Sequence, residues 1–470
     1  MINRKIKISA EAELTKDTIE YIISEHRLEK QRIDKLEKYY NNQAPIFERH
    51  YDNDGKPHNR LATPYASYIT TLAVGYFLGK PISYTGEDEK LLQTINDIFK
   101  YNDEHDHNTT LAKKASIGGY AVELLYIDED TNARFKAFGG NEIAIVYDDS
   151  VEDNILYAIR YWDEKPVGNK HKITKCEIYT RPVLNDKKQV IQTGQILYGL
   201  LEGNSFIIDE SKTKEHFFSD VPVSVYINND ELFGDFEKVT TLIDEYNKVQ
   251  SDTANDFEYF TNAILVISGY QLPTDKNGVK DARIIEFSDN TGDAHYLMKD
   301  IQDGALENFK NRLDKDIATF TLVPKLTDES FAGNVSGEAM KYKLMGIDTL
   351  TSVKESKFRK GIMRRIELLC SYMKTKDSSF NFGFLDIEPV FTRNRPVNEL
   401  EIAQMMQTLT GILSKETIIA MHPAVQDPQQ ELEKVKEEME EIYEQNYQEL
   451  QHESVEEETE GVVEEDGEEQ

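Results

Sequence analysis

The run Asp103-Glu104-His105-Asp106-His107 puts three carboxylates and two imidazoles into five consecutive residues. Such groups bind a divalent metal when several converge on one point. The run falls between two helical patterns, where charged side chains serve solvation, and it is read as a hydrophilic inter-helix loop with no metal assigned. Gly118-Gly119 follows a helical pattern and precedes a strand, the reverse of a dinucleotide turn. Neither GxGxxG nor GxxxxGK[ST] occurs, so no ATPase is expected in the chain itself. GxSxG, HExxH and paired Cys/His signatures are also missing. With 86 Asp and Glu, no catalytic carboxylate pair stands out. Cys176 and Cys370 support neither a disulfide framework nor a zinc motif and are read as buried thiols. Trp162 lies in a predicted strand and is assigned to the core rather than to base stacking. No catalytic residue, metal or cofactor is assigned.

Composition narrows the classes further. The 470 residues suggest two to four domains, and 39% apolar residues suffice for real cores. A net charge of −32 argues against a protein that coats nucleic acid, which needs Lys and Arg to displace counterions. It does not argue against one that lets DNA slide past, because a repulsive wall prevents sticking. The first fourteen residues carry charge without an apolar run, so no signal peptide is read. Ala66 to Leu78 is too short to span a bilayer, which needs about 20 apolar residues. A soluble, cytosolic protein without membrane contact is expected.

Positioning falls to helices, then strands. Thr15 caps a helix running to Tyr40, with Ile19, Ile22, Ile23, Ile33 and Leu36 at helical spacing and Asn41-Asn42 as its stop. Asp52-Asn53-Asp54-Gly55 marks a turn. Thr63-Pro64 opens an apolar helix with Pro at its first position, and Gly79-Lys80-Pro81 closes it. Glu87 to Tyr101 and Asn108 to Gly118 read as further helices. From Tyr120 to Tyr226, short runs rich in Val, Ile and Tyr, such as AVELLYID and EIAIVYDD, predict an antiparallel β-region.

A long helix is predicted from Asp230 to about Thr261, roughly 45 Å in length. Its segment Glu231 to Glu258 carries a net −6. Ala263 to Met298 is a small β-rich insertion with strands ILVIS, ARIIEF and AHYLM. Leu306, Phe309, Leu313, Ile317 and Phe320 then mark a second helix that Pro324 ends. An antiparallel helix pair with the insert at its tip follows. After the polar loop Lys325 to Ser336, a helix of about 50 Å runs to about Met373. It is net +6 from Lys341 to Arg365, with Gly346 and Gly361 as candidate bends. Asn381 to Phe391 reads as a strand. Asn398 caps a helix that Gly411 breaks, Ser414 starts a short one ending at His422-Pro423, and a charged helix follows from Pro428. Glu431 to Gln470 carries a net −16, half the charge of the chain, and its end cannot form a core.

Several of these segments resemble one family. NNQAPIF from Asn41, then HNRLATPYASYITTLAVGYFLGKPISY from His58, resemble the N-terminal wing of portal proteins from long-tailed phages of Gram-positive hosts. NDELFGDFEKVTTLIDEYNKVQSDTANDFEYFTNAILVISG resembles that family's first stem helix entering its clip. VPKLTDESFAGNVSGEAMKYKLMGI resembles the segment where the second stem helix ends, a loop enters the channel and the long wing helix begins. The resemblance covers roughly residues 20 to 425, with the order and spacing of the motifs preserved.

The resemblance implies an α+β portal architecture. Residues 1–229 would form the N-terminal part of the wing, 230–262 stem helix 1, 263–300 the clip and 301–324 stem helix 2. The channel loop, long wing helix and a β-segment would occupy 325–397, a helical crown 398–450 and a disordered acidic tail 451–470. It implies a ring, usually of twelve copies, at one capsid vertex of the virion, assembled in the host cytoplasm. Its partners would be double-stranded DNA passing without sequence specificity, terminase, head-completion (adaptor) protein, and major capsid and scaffold proteins. It places the channel constriction at Thr327, Asp328, Glu329, Ser330, Phe331, Ala332, Gly333, Asn334, Val335 and Ser336. That loop has no Lys or Arg, which suits steric contact rather than phosphate gripping. A closed ring needs unlike surfaces at each joint. The acidic and basic helices supply candidates: Asp244 and Glu245 on one, Arg364 and Arg365 on the other. A minor capsid or scaffold-like structural protein is the second reading, and a single ring with a through-channel separates the two. A hydrolase with unrecognised carboxylates is a third, which the helix–insert–helix pattern does not support.

Overall fold

The computed structural model describes residues 4–50, 57–164, 173–185, 187, 190–202, 205–261, 264–268, 293–297, 303–326, 337–377, 380, 383–394, 399–422, 425 and 428–440. The chain divides into two compact units, one of Met1–Asp328 with Lys343–Asn394 and one of Glu329–Tyr342 with Arg395–Gln470. The architecture is mixed α+β.

The first unit opens with the short strand β1 (Ile6–Lys7) and helices α1 (Lys16–Tyr40), α2 (Tyr65–Leu78), α3 (Glu89–Tyr101) and α4 (Glu104–Gly118), with β2 (Ser83–Gly86) between α2 and α3. Thr15 caps α1 by accepting from the Thr18 amide, and Asp88 caps α3 by accepting from the Leu91 amide. Pro64 sits at the cap of α2 rather than inside its first turn. Strands β3 (Tyr120–Ile127), β4 (Ala133–Gly139), β5 (Ile143–Tyr147), β6 (Ile155–Glu164), β7 (Ile173–Thr180), β8 (Val183–Leu184), β9 (Val190–Gln192), β10 (Gly194–Glu202), β11 (Ser205–Ile208), β12 (Lys214–His216) and β13 (Val223–Ile227) follow. They form two main sheets instead of one region. The larger has the order β1-β5-β6-β7-β10-β11, with β12 also on β10; the smaller is β13-β3-β4. All their pairings are antiparallel except β1 with β5.

Strict alternation stacks these layers. On the large sheet, Ala144, Val146, Ile159, Cys176 and Ile178 meet Ile19, Ile22 and Ile23 of α1. The alternate residues Ile143, Ile145, Ala158 and Tyr179 meet Val122, Leu124 and Val223 of the small sheet. The small sheet's other face, with Ala121, Leu125, Phe135 and Tyr226, meets helices, including Leu111 and Ala115 of α4. Strand β3 is therefore buried on both faces, which is why it reads as an almost continuous apolar run.

Helix α5 (Thr240–Thr261) leads to the antiparallel hairpin β14 (Ile264–Ser268) and β15 (Asp293–Leu297), and α6 (Asp303–Thr321) returns. Ile317, near the end of α6, lies with Ile243 at the start of α5 and Val239 just before it, so the two helices run antiparallel. The same cluster contains Leu36 and Tyr39 of α1 and Ile69 and Ala73 of α2, which root the pair in the unit. The expected start of α5 at Asp230 is corrected to Thr240. Leu232 takes a left-handed φ of 58° and Gly234 sits so close to Ile117 O that a Cβ would fall 2.2 Å from it. A helix cannot begin through that turn. The expected strand ARIIEF lies outside the described residues.

Helix α7 (Gly337–Lys376) contributes Lys343 onward to the first unit, and β16 (Ile387–Val390) pairs with β2. The helix continues through Gly346 and Gly361. These glycines allow close approach: a Cβ at Gly361 would lie 2.6 Å from the Tyr226 ring, and one at Gly346 3.2 Å from Leu322 O. In the second unit, α8 (Glu399–Leu409) ends at Gly411, whose φ is 89°, and Ser414 caps α9 (Lys415–Ala420). A helix over 428–440 follows as expected. The tail 451–470 lies outside the described residues.

Candidate functional site

Extended residues 57–64 run along α5, joined to it by a regular set of hydrogen bonds. The amides of Asn59, Leu61 and Thr63 donate to Asn255 Oδ1 (2.6 Å), Ser251 Oγ (2.9 Å) and Asn247 Oδ1 (2.8 Å). Two extended residues advance about 6.6 Å and four helical residues about 6.0 Å, so the two repeats stay in step. Asn247 and Ser251 are fully buried by this strap. Farther out, Arg49 binds Asp252 at 2.7 Å and Asn59 donates to Glu258. Much of the acidity of α5 is thus engaged by the preceding chain.

A second polar constellation lies where α3, α4, the small sheet and α7 meet. Arg365 has no exposed surface. Its guanidinium donates to Glu123 (2.9 and 3.1 Å), Glu104 (3.1 Å) and Asn108 (2.7 Å) and lies over the Phe135 ring at 4.7 Å. His107 Nε2 contacts Glu123 Oε1 at 2.7 Å, and the hydroxyls of Tyr226 and Tyr84 donate to Glu123 and Glu104. Burial alone would raise the pKa of Glu123, but the Arg365 charge and the His107 hydrogen bond outweigh it and hold this carboxyl at about 2. Bidentate arginine and satisfied carboxylates make burial of these charges tolerable.

This geometry corrects two expectations. The Asp103–His107 run is not a loop: Asp103 is the left-handed cap of α4, and Glu104 and His107 point from its first turn into the core. Among the described residues, no group of three or more His, Cys, Asp or Glu is placed to hold a metal ion. Arg365, expected at a ring joint, is enclosed within its own subunit and has no surface to offer a neighbour. Sequence reasoning missed Glu104, His107 and Glu123. The available signal was Glu123 as the one charge within the apolar run AVELLYI, together with Arg365 standing in the apolar stripe Phe358, Ile362, Ile366 and Leu369.

Other cations of α7 are also engaged. Lys354 and Asp235 form a buried pair, and Asp235 also accepts from Ser116 and Asn228. Lys354 and Arg365 are eleven residues apart, about 16 Å along the same helical face. Two buried ionic anchors therefore fix the register of α7. Lys357 meets Asp230, and Arg364 meets Asp220 and Glu367 at 2.7 Å each. Glu245 pairs with Lys248 at 3.5 Å. Asp244 accepts from Tyr39 Oη at 2.7 Å, while its buried Oδ1 has no hydrogen-bond partner among the described residues. The whole expected channel loop, Thr327 to Ser336, lies outside the described residues.

Comparison with known proteins decides among structural readings. A model of the family described as phage portal protein, SPP1 Gp6-like, matches residues 19–445. The chain belongs to the phage portal protein family. The portal protein of Bacillus phage SPP1 is 26% identical over 393 residues, covering 82% of this chain and 77% of that protein. The portal protein of Clostridium phage phiCD119 is 25% identical over 438 residues, covering 87% of this chain and 93% of that protein. Portal proteins are structural components of the phage capsid. The family match spans both buried anchors of α7, the strap and the α5–hairpin–α6 excursion. Among the described residues, no helix is long and apolar enough to cross a membrane.

Proposed function

We propose that twelve copies close into a ring at one capsid vertex and form the conduit for double-stranded DNA during packaging and ejection. The observation that carries this reading is the family match over residues 19–445, which includes a helix–hairpin–helix excursion rooted in a mixed α/β unit. In this reading residues 1–229 belong to the wing, α5 and α6 are the stem, and β14 with β15 are the clip, where terminase and later a head-completion protein dock. Major capsid and scaffold proteins would meet the wing during assembly in the host cytoplasm. The second unit would hold the crown.

Residues 327–336 would enter the channel. Asp328 and Glu329, with no Lys or Arg beside them, favour sliding over gripping. The partly exposed Glu245 and Arg364 are the charges on these two helices that we assign to subunit joints, while Asp244 is turned inward to Tyr39. The buried anchors would hold α7 rigid behind the channel loop.

A phage carrying a nonsense codon in this gene tests the function. Heads made without the protein should lack DNA, and supplying the chain in trans should restore filling. DNA-filled heads in its absence would overturn the reading.

A further inference from the structure

Where the chain leaves α6 it makes a turn that its own residues disfavour. Leu322, the first residue after the helix, takes a left-handed φ of 59°. There the Cβ of an L-residue crowds the backbone carbonyl, so a leucine in this conformation is held by its surroundings and not by its own preference. Three contacts hold it. Val323 is buried in the cluster of Ile317, Leu36 and Ile69. Lys325 pairs with Asp314 of α6, which also accepts from Tyr65 Oη at 2.7 Å. The Tyr68 hydroxyl, from α2, donates to Pro324 O at 3.0 Å and accepts from the Leu326 amide at 3.1 Å, so that it brackets Lys325. Gly346 of α7 also lies against the turn, where a Cβ would come within 3.2 Å of Leu322 O.

We infer that Tyr68 is a positioning residue for DNA passage, its hydroxyl clamping the chain between the end of α6 and residue 327. Val323 and Lys325 fix the start of that segment. Leu326 comes after both and its side chain is half exposed, so its backbone is held through the amide bond to Tyr68. Tyr68 is itself 38% exposed. Water therefore competes for both of its bonds, and a clamp of this kind is readily made and broken. The strain at Leu322 works against the clamp, because release would let φ return to an ordinary value. One hydroxyl thus fixes the point from which residues 327–336 set out. The inference rests on the conduit reading, in which those residues enter the channel, and adds to it a residue of the second helix.

The test uses the full-length chain carrying Tyr68→Phe, which keeps the ring and removes both bonds. Hydrogen exchange at the Leu326 amide, read by mass spectrometry of overlapping peptides, should quicken roughly tenfold. Leu322→Gly relieves the steric strain and should slow that exchange below the parent rate. Tyr76→Phe deletes another α2 hydroxyl bond, to Asp348 of α7 at 2.7 Å, and should leave it at the parent rate. Each chain is then supplied in trans to phage lacking the gene. Tyr68→Phe should give the parental number of heads and slower filling with DNA, while Tyr76→Phe fills at the parental rate. Unchanged exchange in Tyr68→Phe, or equal acceleration in Tyr76→Phe, would overturn the clamp. Faster exchange with parental filling would overturn its role in DNA passage and leave the conduit reading intact. A parent chain that restores no filling would overturn the conduit reading and that role together, whatever the exchange shows.

Discussion

Arg364 and Arg365 are neighbours in sequence and opposites in environment, and that contrast gives a sharp prediction. Arg365→Met keeps most of the side-chain volume but strands Glu123 and Glu104, which are buried. Breaking a buried ion pair by removing one partner costs about 3–5 kcal/mol. For a unit of this size the expected fall in melting temperature is roughly 4–6 °C. Arg364→Met removes contacts to Asp220 and Glu367 from a side chain 24% exposed and should cost less than about 1 kcal/mol. The penalty at position 365 should also shrink below about pH 5, where the stranded carboxyls can be neutralised by protonation. Adding Glu123→Gln to Arg365→Met should recover part of the loss, since one buried charge is gone. The assay is thermal and urea denaturation of the four proteins at pH 7.5 and pH 5. Equal losses for the two single variants, or no loss for Arg365→Met, would refute the reasoning.

Acid should destabilise the fold in two stages. His26 donates from Nε2 to Gly140 O and accepts from Tyr161, and burial lowers its pKa, so stability present above about pH 6.5 is lost as pH falls below it. Glu123, held at about 2 against an ordinary 4.5, contributes about 3 kcal/mol above pH 4.5 that disappears as pH approaches 2. Denaturation midpoints across pH check both, and a flat profile through either window counts against the corresponding contact. Gly361→Ala should cost about 1–3 kcal/mol, because its Cβ would meet the fully buried Tyr226 ring; calorimetry showing no change would remove close packing as the reason for this glycine. Asn247→Leu leaves the Thr63 amide without its acceptor and should cost about 1–3 kcal/mol. Hydrogen exchange should then quicken at Thr63 and not at Asn59, whose acceptor is Asn255. Replacing Asp328 and Glu329 by Lys should slow DNA passage in a packaging assay, and unaltered packaging would remove that loop from contact with DNA.

Periodicity and caps made the helices legible. Thr15, Asp88 and Ser414 act on amides three residues away, and such local chemistry is written in sequence. The β-region was legible as strands but not as two stacked sheets, because burying both faces of β3 erases the alternation that would reveal its partners. The buried anchors were least legible. Glu123, Glu104 and Arg365 are separated by up to 261 residues, and each looks alone like a solubilising charge. The Asp103–His107 run was misread for that reason: its polarity suggested a loop, while its tertiary partners make it the first turn of α4. The strap shows the same limit. Asn247, Ser251 and Asn255 form a visible four-residue repeat, but nothing local says that the amides of 59, 61 and 63 are their partners. The long-range resemblance supplied the function, since composition and motifs alone reached only a structural protein without catalytic signatures.

The central claim is a closed ring with a channel. Native mass of the purified chain, paired with negative-stain imaging, tests it most directly. Twelve subunits of 54.1 kDa predict a particle of about 650 kDa with a central hole. A stable dimer or a closed shell at the same protein concentration would contradict it.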